Sequence, residues 1–336
     1  MKYIVLLYFL SLNCLAQKGE LVIAEYSSDI ITLNFLNPQF EVTSKEVIDI
    51  SKFEGWLGPS KYGSSYSHFP LQFFPKGNRL LISLINEDEL QDVSYWTKFL
   101  SYDFESKELR ELLKIDGTSI SFWHLIDDNE IVGISGQALI KVDLRQTNCD
   151  TLAVYDFYPH PRELLTSKSI IEFVIEGRNN ISMLSYNIIS NQVDEVFISS
   201  TTSFSSIHNE NFLTIEGQGI STLKLRKAGL YSLVSVEKKM DLSNYNSFWD
   251  TQDHIYLMTK TGILKVDDSL EKIDKMECST PHIEEIIDDW IIYSTRMDGA
   301  SINDAKYFAT STTFDKTYGL PYLNNGKSIV LITKRP

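Results

Sequence analysis

The segment FPKGNRLLISLI, residues 74–85, is followed after a polar gap by FLSYDFESKELRELL, residues 99–113. The first part predicts a Pro-Lys-Gly-Asn turn and an apolar strand from Arg79 to Ile85. The second part predicts a strand from Phe99 to Phe104, an acidic turn and a third strand from Glu108 to Leu113. This order of turn, strand, strand, turn and strand indicates one repeating unit of an all-β protein.

Weaker copies of this unit occur along the chain. In each copy a short polar turn precedes an apolar strand, and these strands begin about 36–50 residues apart, which is the spacing of β-propeller blades. The sequence therefore predicts a single β-propeller with seven blades. Eight blades is the alternative, because Leu21–Ile23 is one more strand of this type. The seven strands that follow the turns begin at Arg79, Glu130, Ser169, Asn211, His254, Trp290 and Lys327.

A short polar and aromatic segment lies before each turn, and it is predicted to form the innermost strand of each blade. Ser121-Phe122-Trp123 and Ser247-Phe248-Trp249 are the best-matched pair of these segments. The strands near the start of the chain, Leu21–Tyr26 and Ile30–Phe35, lack such a segment. We therefore expect them to complete the blade that begins near Tyr318. Pairing of the N-terminal and C-terminal strands would close the ring and remove exposed sheet edges.

The unit resembles the TolB-like, or WD40-like, propeller repeat. That repeat has a Pro-Asp-Gly-Lys type of turn, a strand, and a second strand that ends in an acidic turn. Pro75–Arg79 and Tyr102–Leu109 match this order, and Asn325–Ile329 is a shorter match. The resemblance implies a propeller fold and carries over no catalytic residue. Relatives of this shape occur as periplasmic scaffold proteins and as accessory domains of peptidases, whose peptidase domain would need further chain.

Composition and charge narrow the classes of function. The proportions of hydrophobic residues, 43%, and charged residues, 23%, fit a folded globular chain rather than a disordered one. The formal net charge is −14, and the longest basic runs are Lys238-Lys239 and Lys334-Arg335. Because phosphate binding needs clustered lysine and arginine, neither nucleic acid nor an anionic membrane surface is an expected partner.

The start of the chain is predicted to be a signal peptide, residues 1–16. The apolar run from Tyr3 to Leu12 has the length of a signal core, and Ala16 provides the small residue at the cleavage site. The run is too short to cross a bilayer, which takes about 20 residues. We therefore expect a single propeller domain over residues 17–336, exported to the periplasm or the extracellular space.

The cysteines leave one alternative for this segment. Cys14 would be a lipid attachment site in a lipoprotein signal, but Asn13 stands where that signal needs Gly, Ala or Ser. After cleavage only Cys149 and Cys278 remain, and two cysteines make no disulfide framework. Since the repeat register places them in distant blades, we expect two unpaired thiols.

The sequence contains no complete catalytic or metal-binding motif. Gly133-Ile134-Ser135-Gly136 lacks the spacing of a hydrolase elbow. The six histidines are scattered without the spacing of zinc ligands, so neither a metal nor a cofactor is expected. The acidic pairs Asp127-Asp128, Asp267-Asp268 and Asp288-Asp289 fall between strands, where aspartate bonds the local backbone. We interpret them as turn residues.

The remaining candidate site is the axial funnel of the propeller. Polar and aromatic residues of the innermost segments would line or rim one end of it, and this mixture suits recognition of a peptide or a sugar. Ordinary packing inside the blades is the alternative for the aromatic members. The candidate ligand-binding residues are Tyr66, His68, His160, Arg162, Trp249, His282, Glu284 and Tyr318.

Three functions are compatible with this pattern. The first is an exported, monomeric, non-catalytic propeller that binds a protein, peptide or glycan at the funnel. The second is a polysaccharide lyase or hydrolase that uses His160, Arg162, His282 and Glu284, which would have to lie within roughly 10 Å of one another. The third is a structural partner in a cell-envelope assembly. The absence of a catalytic signature in the sequence favours the first.

Overall fold

The fold is seen in a computed structural model of the chain. Regular structure in the described residues is β-strand, apart from one 3-10 turn at Pro321–Leu323. No helix among them is long and apolar enough to cross a membrane. The described residues are 20–27, 29–57, 70–86, 96–117, 119–146, 149–155, 160–166, 170–176, 181–199, 205–208, 211–216, 220–227, 230–241, 248–250, 254–259, 261–267, 269–295, 306–323 and 328–336.

The described strands form seven antiparallel sheets, here numbered 1 to 7 in chain order. Sheet 1 contains β1 (Glu20–Ser27), β2 (Ile30–Leu36) and β3 (Val42–Asp49). Sheet 2 contains β4 (Trp56–Leu57), β5 (Leu71–Phe73), β6 (Arg79–Asn86), β7 (Trp96–Asp103) and β8 (Leu109–Asp116). Sheet 3 contains β9 (Ile120–Leu125), β10 (Glu130–Ser135), β11 (Ala138–Asp143) and β12 (Cys149–Val154). Sheet 4 contains β13 (His160–Thr166), β14 (Ile170–Glu176), β15 (Ile181–Asn187) and β16 (Gln192–Ser199). Sheet 5 contains β17 (Ser205–His208), β18 (Asn211–Glu216), β19 (Ile220–Lys227) and β20 (Leu230–Asp241). Sheet 6 contains β21 (Phe248–Asp250), β22 (Ile255–Thr259), β23 (Gly262–Val266) and β24 (Lys272–Glu277). Sheet 7 contains β25 (Pro281–Ile287), β26 (Trp290–Thr295), β27 (Lys306–Ser311) and β28 (Thr317–Gly319). The last strand, β29 (Ser328–Arg335), joins sheet 1.

Every sheet has the same plan of four positions, with neighbouring positions paired antiparallel. In sheet 2 the short strands β4 and β5 both pair with β6 and share the first position. In sheet 1 the first position belongs to β29, which pairs with β1 from Glu20 opposite Arg335 to Tyr26 opposite Ser328. The beginning and the end of the described chain therefore meet in one sheet.

Burial shows that the sheets pack face to face. The second strand of sheet 2, β6, is buried from Leu80 to Ile85. Because side chains alternate between the two faces of a strand, Leu80 and Ile82 pack with sheet 1, whereas Leu81 packs with sheet 3. Fourth strands such as β3, β12 and β24 are mostly exposed. The sheets whose burial is described, such as sheets 1, 2, 3 and 6, thus have a buried middle and a mostly solvent-facing fourth strand.

The turn between the third and fourth strands is the most regular feature of the repeat. In sheet 2 the Asp103 carboxylate accepts the backbone N–H groups of Glu105 at 3.0 Å and Ser106 at 2.9 Å. A residue three or four positions after this anchor has a positive φ, which is costly for a residue other than glycine. The anchors are Asn37, Asp103, Asn187, Asp267 and Ser311, and the positive-φ residues are Phe40, Lys107, Asn191, Leu270 and Phe314.

Several predictions from the sequence are confirmed. The three strands of the segment 74–113 are present as β6, β7 and β8. Asp127 is a turn residue, since its carboxylate accepts the backbone N–H groups of Asn129 at 2.7 Å and Glu130 at 3.0 Å. Cys149 and Cys278 are both free thiols. The predicted signal peptide, residues 1–16, lies outside the described residues.

One strand near the start of the chain was missed, and one assignment near its end is wrong. Val42–Asp49 forms the fourth strand of sheet 1, and the sequence pattern did not predict it. Tyr318 was assigned to the innermost strand of the last unit, but it lies on β28, the fourth strand of sheet 7, opposite Ala309. The turn anchored by Ser311 sends the chain straight back along β27, so this segment completes sheet 7. The first position of the last unit belongs to β29, which begins at Ser328.

Candidate functional site

The first strands of neighbouring sheets lie side by side. Contacts join β17 to β21, β21 to β25, β25 to β29 and β29 to β5. The Gln72 side chain of β5 extends this series to β9, because its Nε2 donates to the Trp123 carbonyl oxygen at 3.0 Å and its Oε1 accepts the Leu125 N–H at 2.9 Å. Six first strands therefore form a continuous series, at the opposite side of their sheets from the exposed fourth strands.

Side chains of the preceding sheet also cover backbone groups at the free edges of these first strands. The Ile120 N–H on β9 donates to Thr97 Oγ1 at 2.7 Å. The Ile283 N–H on β25 donates to Met258 Sδ at 2.9 Å. An uncovered edge would offer its backbone groups to an added strand. At these two positions the edge backbone N–H groups of β9 and β25 are therefore already hydrogen-bonded and are not open to an added strand.

Four of the described first strands contain one residue that has no partner in the pairing register. Such a bulge redirects the side chains around it and is common next to functional sites. Arg162 and Glu284, which the sequence singled out as site residues, are both bulge residues. The four positions are Ser121 on β9, Arg162 on β13, Glu284 on β25 and Val330 on β29.

The bulge of β25 is the part of the candidate site that is described in side-chain detail. Glu284 Oε1 accepts the hydroxyl proton of Ser294 at 2.7 Å, and Ser294 is fully buried. His282 stands opposite Ser294 in the register and is exposed. The serine therefore fixes the carboxylate, while the imidazole beside it is open to solvent. This pair offers one oriented acceptor and one group that can donate or accept a proton.

Glu285 is a functional candidate that the sequence analysis missed. It follows Glu284 on β25, and the Ile286 N–H donates to its Oε1 at 3.0 Å. Burial raises the pKa of Glu285 to about 8, although the hydrogen bond from Ile286 acts in the opposite direction. The group therefore keeps its proton near neutral pH. The available signal was a second glutamate placed directly before two apolar residues of the same strand, Ile286 and Ile287.

The other candidate residues of the sequence analysis are only partly brought together. His160 and Arg162 lie on β13, and Trp249 lies on β21; the structure describes the backbone of these residues and not their side chains. Tyr66 and His68 lie outside the described residues.

Tyr318 does not belong to this site. Its ring packs 5.8 Å from Phe40 and 5.4 Å from Trp290, between sheets 1 and 7. Among the described residues, no group of three or more His, Cys, Asp or Glu side chains could hold a metal ion.

Comparison with known proteins gives the fold and no closer relationship. No protein-family model and no curated protein matches the chain. Among solved structures, a post-proline cleaving enzyme from Rickettsia typhi matches with a TM-score of 0.57 and 12% identity, over 90% of this chain and 52% of that one. A structure from a study of two prolyl endopeptidases matches with a TM-score of 0.54 and 10% identity, over 90% and 49%. Dihydro-heme d1 dehydrogenase NirN matches with a TM-score of 0.52 and 12% identity, over 92% and 74%.

These similarities concern the propeller part of the peptidases. The fold is that of a β-propeller. The chain spans about half the length of the two peptidases it matches. At 10–12% identity, the likeness applies to the fold alone.

Proposed function

We propose that the chain is a seven-bladed propeller, closed by the pairing of β29 with β1, and that it binds a ligand where the first strands begin. Seven described sheets with one strand plan support the blade number. The register from Glu20 opposite Arg335 to Tyr26 opposite Ser328 supports the closure. The resemblance of residues 74–113 to the TolB-like repeat is consistent with both. An eighth blade would require residues outside the described ones.

The ligand proposed for this site is a protein, a peptide or a glycan, bound without catalysis. The observation that carries this proposal is the bulge of β25, where Ser294 orients Glu284 at 2.7 Å and His282 is exposed. His160 and Arg162 occupy the same part of β13, whose bulge is at Arg162. In a closed ring, sheets 4 and 7 would stand across the centre from each other, so an occupant could contact both. The predicted signal peptide places the expected partner outside the cytoplasm.

The proposal is tested by ligand screening of the chain from Gln17 onward, on a glycan array and by peptide pull-down. The variant H282A/E284Q should lose capture of any ligand found, because it removes the exposed imidazole and the oriented carboxylate. E277Q is the matched control, since Glu277 is exposed on the fourth strand β24. Melting temperatures should remain similar for both variants. Undiminished capture by H282A/E284Q would move the binding site elsewhere.

A polysaccharide lyase or hydrolase is the second candidate, and Glu285 favours it. A general acid must hold a proton at neutral pH, and burial gives Glu285 that property. The E285Q variant should then abolish release of new sugar ends from a polysaccharide panel, whereas E277Q should retain it. If E285Q turns over as fast as the unmodified chain, Glu285 is not the acid.

A further inference from the structure

A cavity of about 450 Å³ lies between sheets 1 and 2, at the end of the sheets where β29 finishes. Its volume is within the range of small-molecule sites, roughly 300–1,000 Å³. One wall comes from sheet 1 and the opposite wall from the turns that flank β6 and β7. The lining residues are Glu20, Phe35, Ser44, Lys45, Glu46, Asn78, Phe104, Glu105, Lys107 and Arg335.

Arg335 is held in this cavity in a fixed orientation. Its Nε donates to the carbonyl oxygen of Gly77 at 2.5 Å. The guanidinium carbon lies 4.4 Å from the centre of the Phe104 ring, a favourable cation–π arrangement. Within the described part of the chain, Arg335 forms no ion pair with a carboxylate. Among the described residues its two terminal amino groups also have no hydrogen-bond partner, which leaves them open to a ligand on that side.

One of the three carboxylates that line the cavity, Glu46, is already paired. Lys107 Nζ lies 2.5 Å from Glu46 Oε2, and the Tyr102 hydroxyl donates to the other carboxylate oxygen. Burial would raise the pKa of Glu46, but the hydrogen bonds from Lys107 and Tyr102 outweigh it and lower the pKa. Glu46 therefore stays ionised and pairs directly with Lys107, while the nearby charge of Arg335 also lowers its pKa without forming an ion pair.

The remaining lining groups determine what the cavity can accept. Lys45 adds a second cation that has no partner among the described residues. Ser44 and Asn78 offer a hydroxyl and an amide for neutral polar groups. Glu20 and Glu105 are exposed, so solvent weakens their repulsion of an anion. The strongest unused recognition element is thus the planar pair of amino groups on Arg335.

We propose that this cavity binds the carboxylate of a small organic acid through Arg335, with Lys45 as the second positive group. Arginine pairs with carboxylates through two parallel hydrogen bonds, which lysine cannot reproduce. The ligand's neutral polar groups contact Ser44 and Asn78. The site is separate from the first-strand ends of β25, so it stands whether or not that region binds a ligand.

The experiment compares probes that differ only in charge, by titration calorimetry or by NMR shifts of the chain from Gln17 onward. D-Glucuronate is compared with D-glucose, and acetyl-Ala-Ala is compared with its amide. At least one acid should bind and its neutral counterpart should not. Binding of D-glucuronate would identify a sugar acid as the ligand class, and binding of acetyl-Ala-Ala would identify a peptide carboxylate. Equal binding of acid and neutral probe, or no binding of either acid, overturns the proposal.

Three variants assign the binding to the cavity. R335K keeps the positive charge and loses the paired amino groups, so it should lower the affinity for the acid at least tenfold. K45Q should lower the affinity for the acid by a smaller factor. Because it does not disturb the Arg335 contacts, it keeps the test valid if R335K unfolds. R145K is the control, because Arg145 is an exposed arginine that pairs with Asp143 in sheet 3. Unchanged affinity in both cavity variants would place the acid elsewhere.

Discussion

Sheet 1 has an apolar core against both of its neighbours, but the same backbone turn adds a contact of different chemistry on each side. The turn of sheet 1 sends Phe40 against sheet 7, where its ring lies 4.8 Å from Trp290 and 5.8 Å from Tyr318. The turn of sheet 2 sends Lys107 against sheet 1, where it pairs with Glu46 at 2.5 Å. Both residues have a positive φ, near 60°. The backbone of the turn is therefore the repeated element, and its side chain varies freely.

The largest effect is expected from removing the aromatic contact between sheets 7 and 1. Phe40 is 4% exposed, and F40A would leave a cavity that costs about 3–5 kcal/mol of unfolding free energy. Urea unfolding measures this loss, and F40L should recover part of it because it fills some of the volume. A loss below about 1 kcal/mol, the scale of an exposed ion pair, would show that the two turn contacts do not differ in strength.

The interface between sheets 1 and 2 also contains a close backbone contact, at Gly77. This glycine has φ +66°, and a Cβ added to it would lie 2.3 Å from the carbonyl oxygen of Pro336. Gly117 has φ +74° with open space around it, so G117A measures the backbone strain alone, about 1–2 kcal/mol. G77A should cost about 1–3 kcal/mol more, since the contact must also give way. Equal losses in urea unfolding would mean that the contact is unimportant.

The two interfaces should also respond to pH in opposite directions. Glu285 is on the face of sheet 7 that meets sheet 1, because Ile287, two residues later on the same strand, packs in that interface. Burial raises its pKa to about 8, so the folded state binds a proton that the unfolded state releases above about pH 4.5. The stabilising effect is present below that pH and is lost as the pH rises through about 8. Melting temperatures of E285Q should show a smaller decline between about pH 4.5 and 8, and no difference in slope above that range.

Glu46 provides the comparison in the other interface. Its pKa is lowered by Lys107 and Tyr102 against the effect of burial, so its contribution is present at neutral pH and is lost as the pH falls below the unfolded value. In a plot of melting temperature against pH, E46Q should therefore reduce the decline at acid pH and leave the rest of the plot unchanged. If both variants alter the same side, the assignment of the two carboxyls to opposite shifts is wrong.

Whether a strand could be predicted from the sequence depends on whether it has an apolar face. The strands from Arg79 to Ile85 and from Phe99 to Phe104 were predictable because they are buried and apolar. The strand Val42–Asp49 was missed because it is a solvent-facing fourth strand, rich in charged residues. Its signal was the Asn37 turn, whose side chain accepts the backbone N–H groups of Gln39 and Glu41.

The site was less predictable than the fold for a related reason. First and fourth strands are both short and polar in sequence, so Tyr318 was assigned to the wrong position, whereas His282 and Glu284 are on a first strand as expected. The bulge at Glu284 follows from how β25 pairs with β26, which the sequence of β25 alone does not contain. The raised pKa of Glu285 likewise depends on burial by neighbouring elements.

The smallest effect is expected from the ion pair between sheets 1 and 2. Lys107 is exposed, so K107Q should cost at most about 1 kcal/mol, because exposed pairs gain little in water. The loss should shrink in molar salt, which screens the remaining attraction, whereas the loss in F40A should not. K275Q is the control, since Lys275 pairs with Glu277 on a fourth strand away from either interface. A salt-independent loss in K107Q would mean that its aliphatic chain packs against sheet 1, and the two interfaces would then differ less in chemistry than their terminal groups indicate.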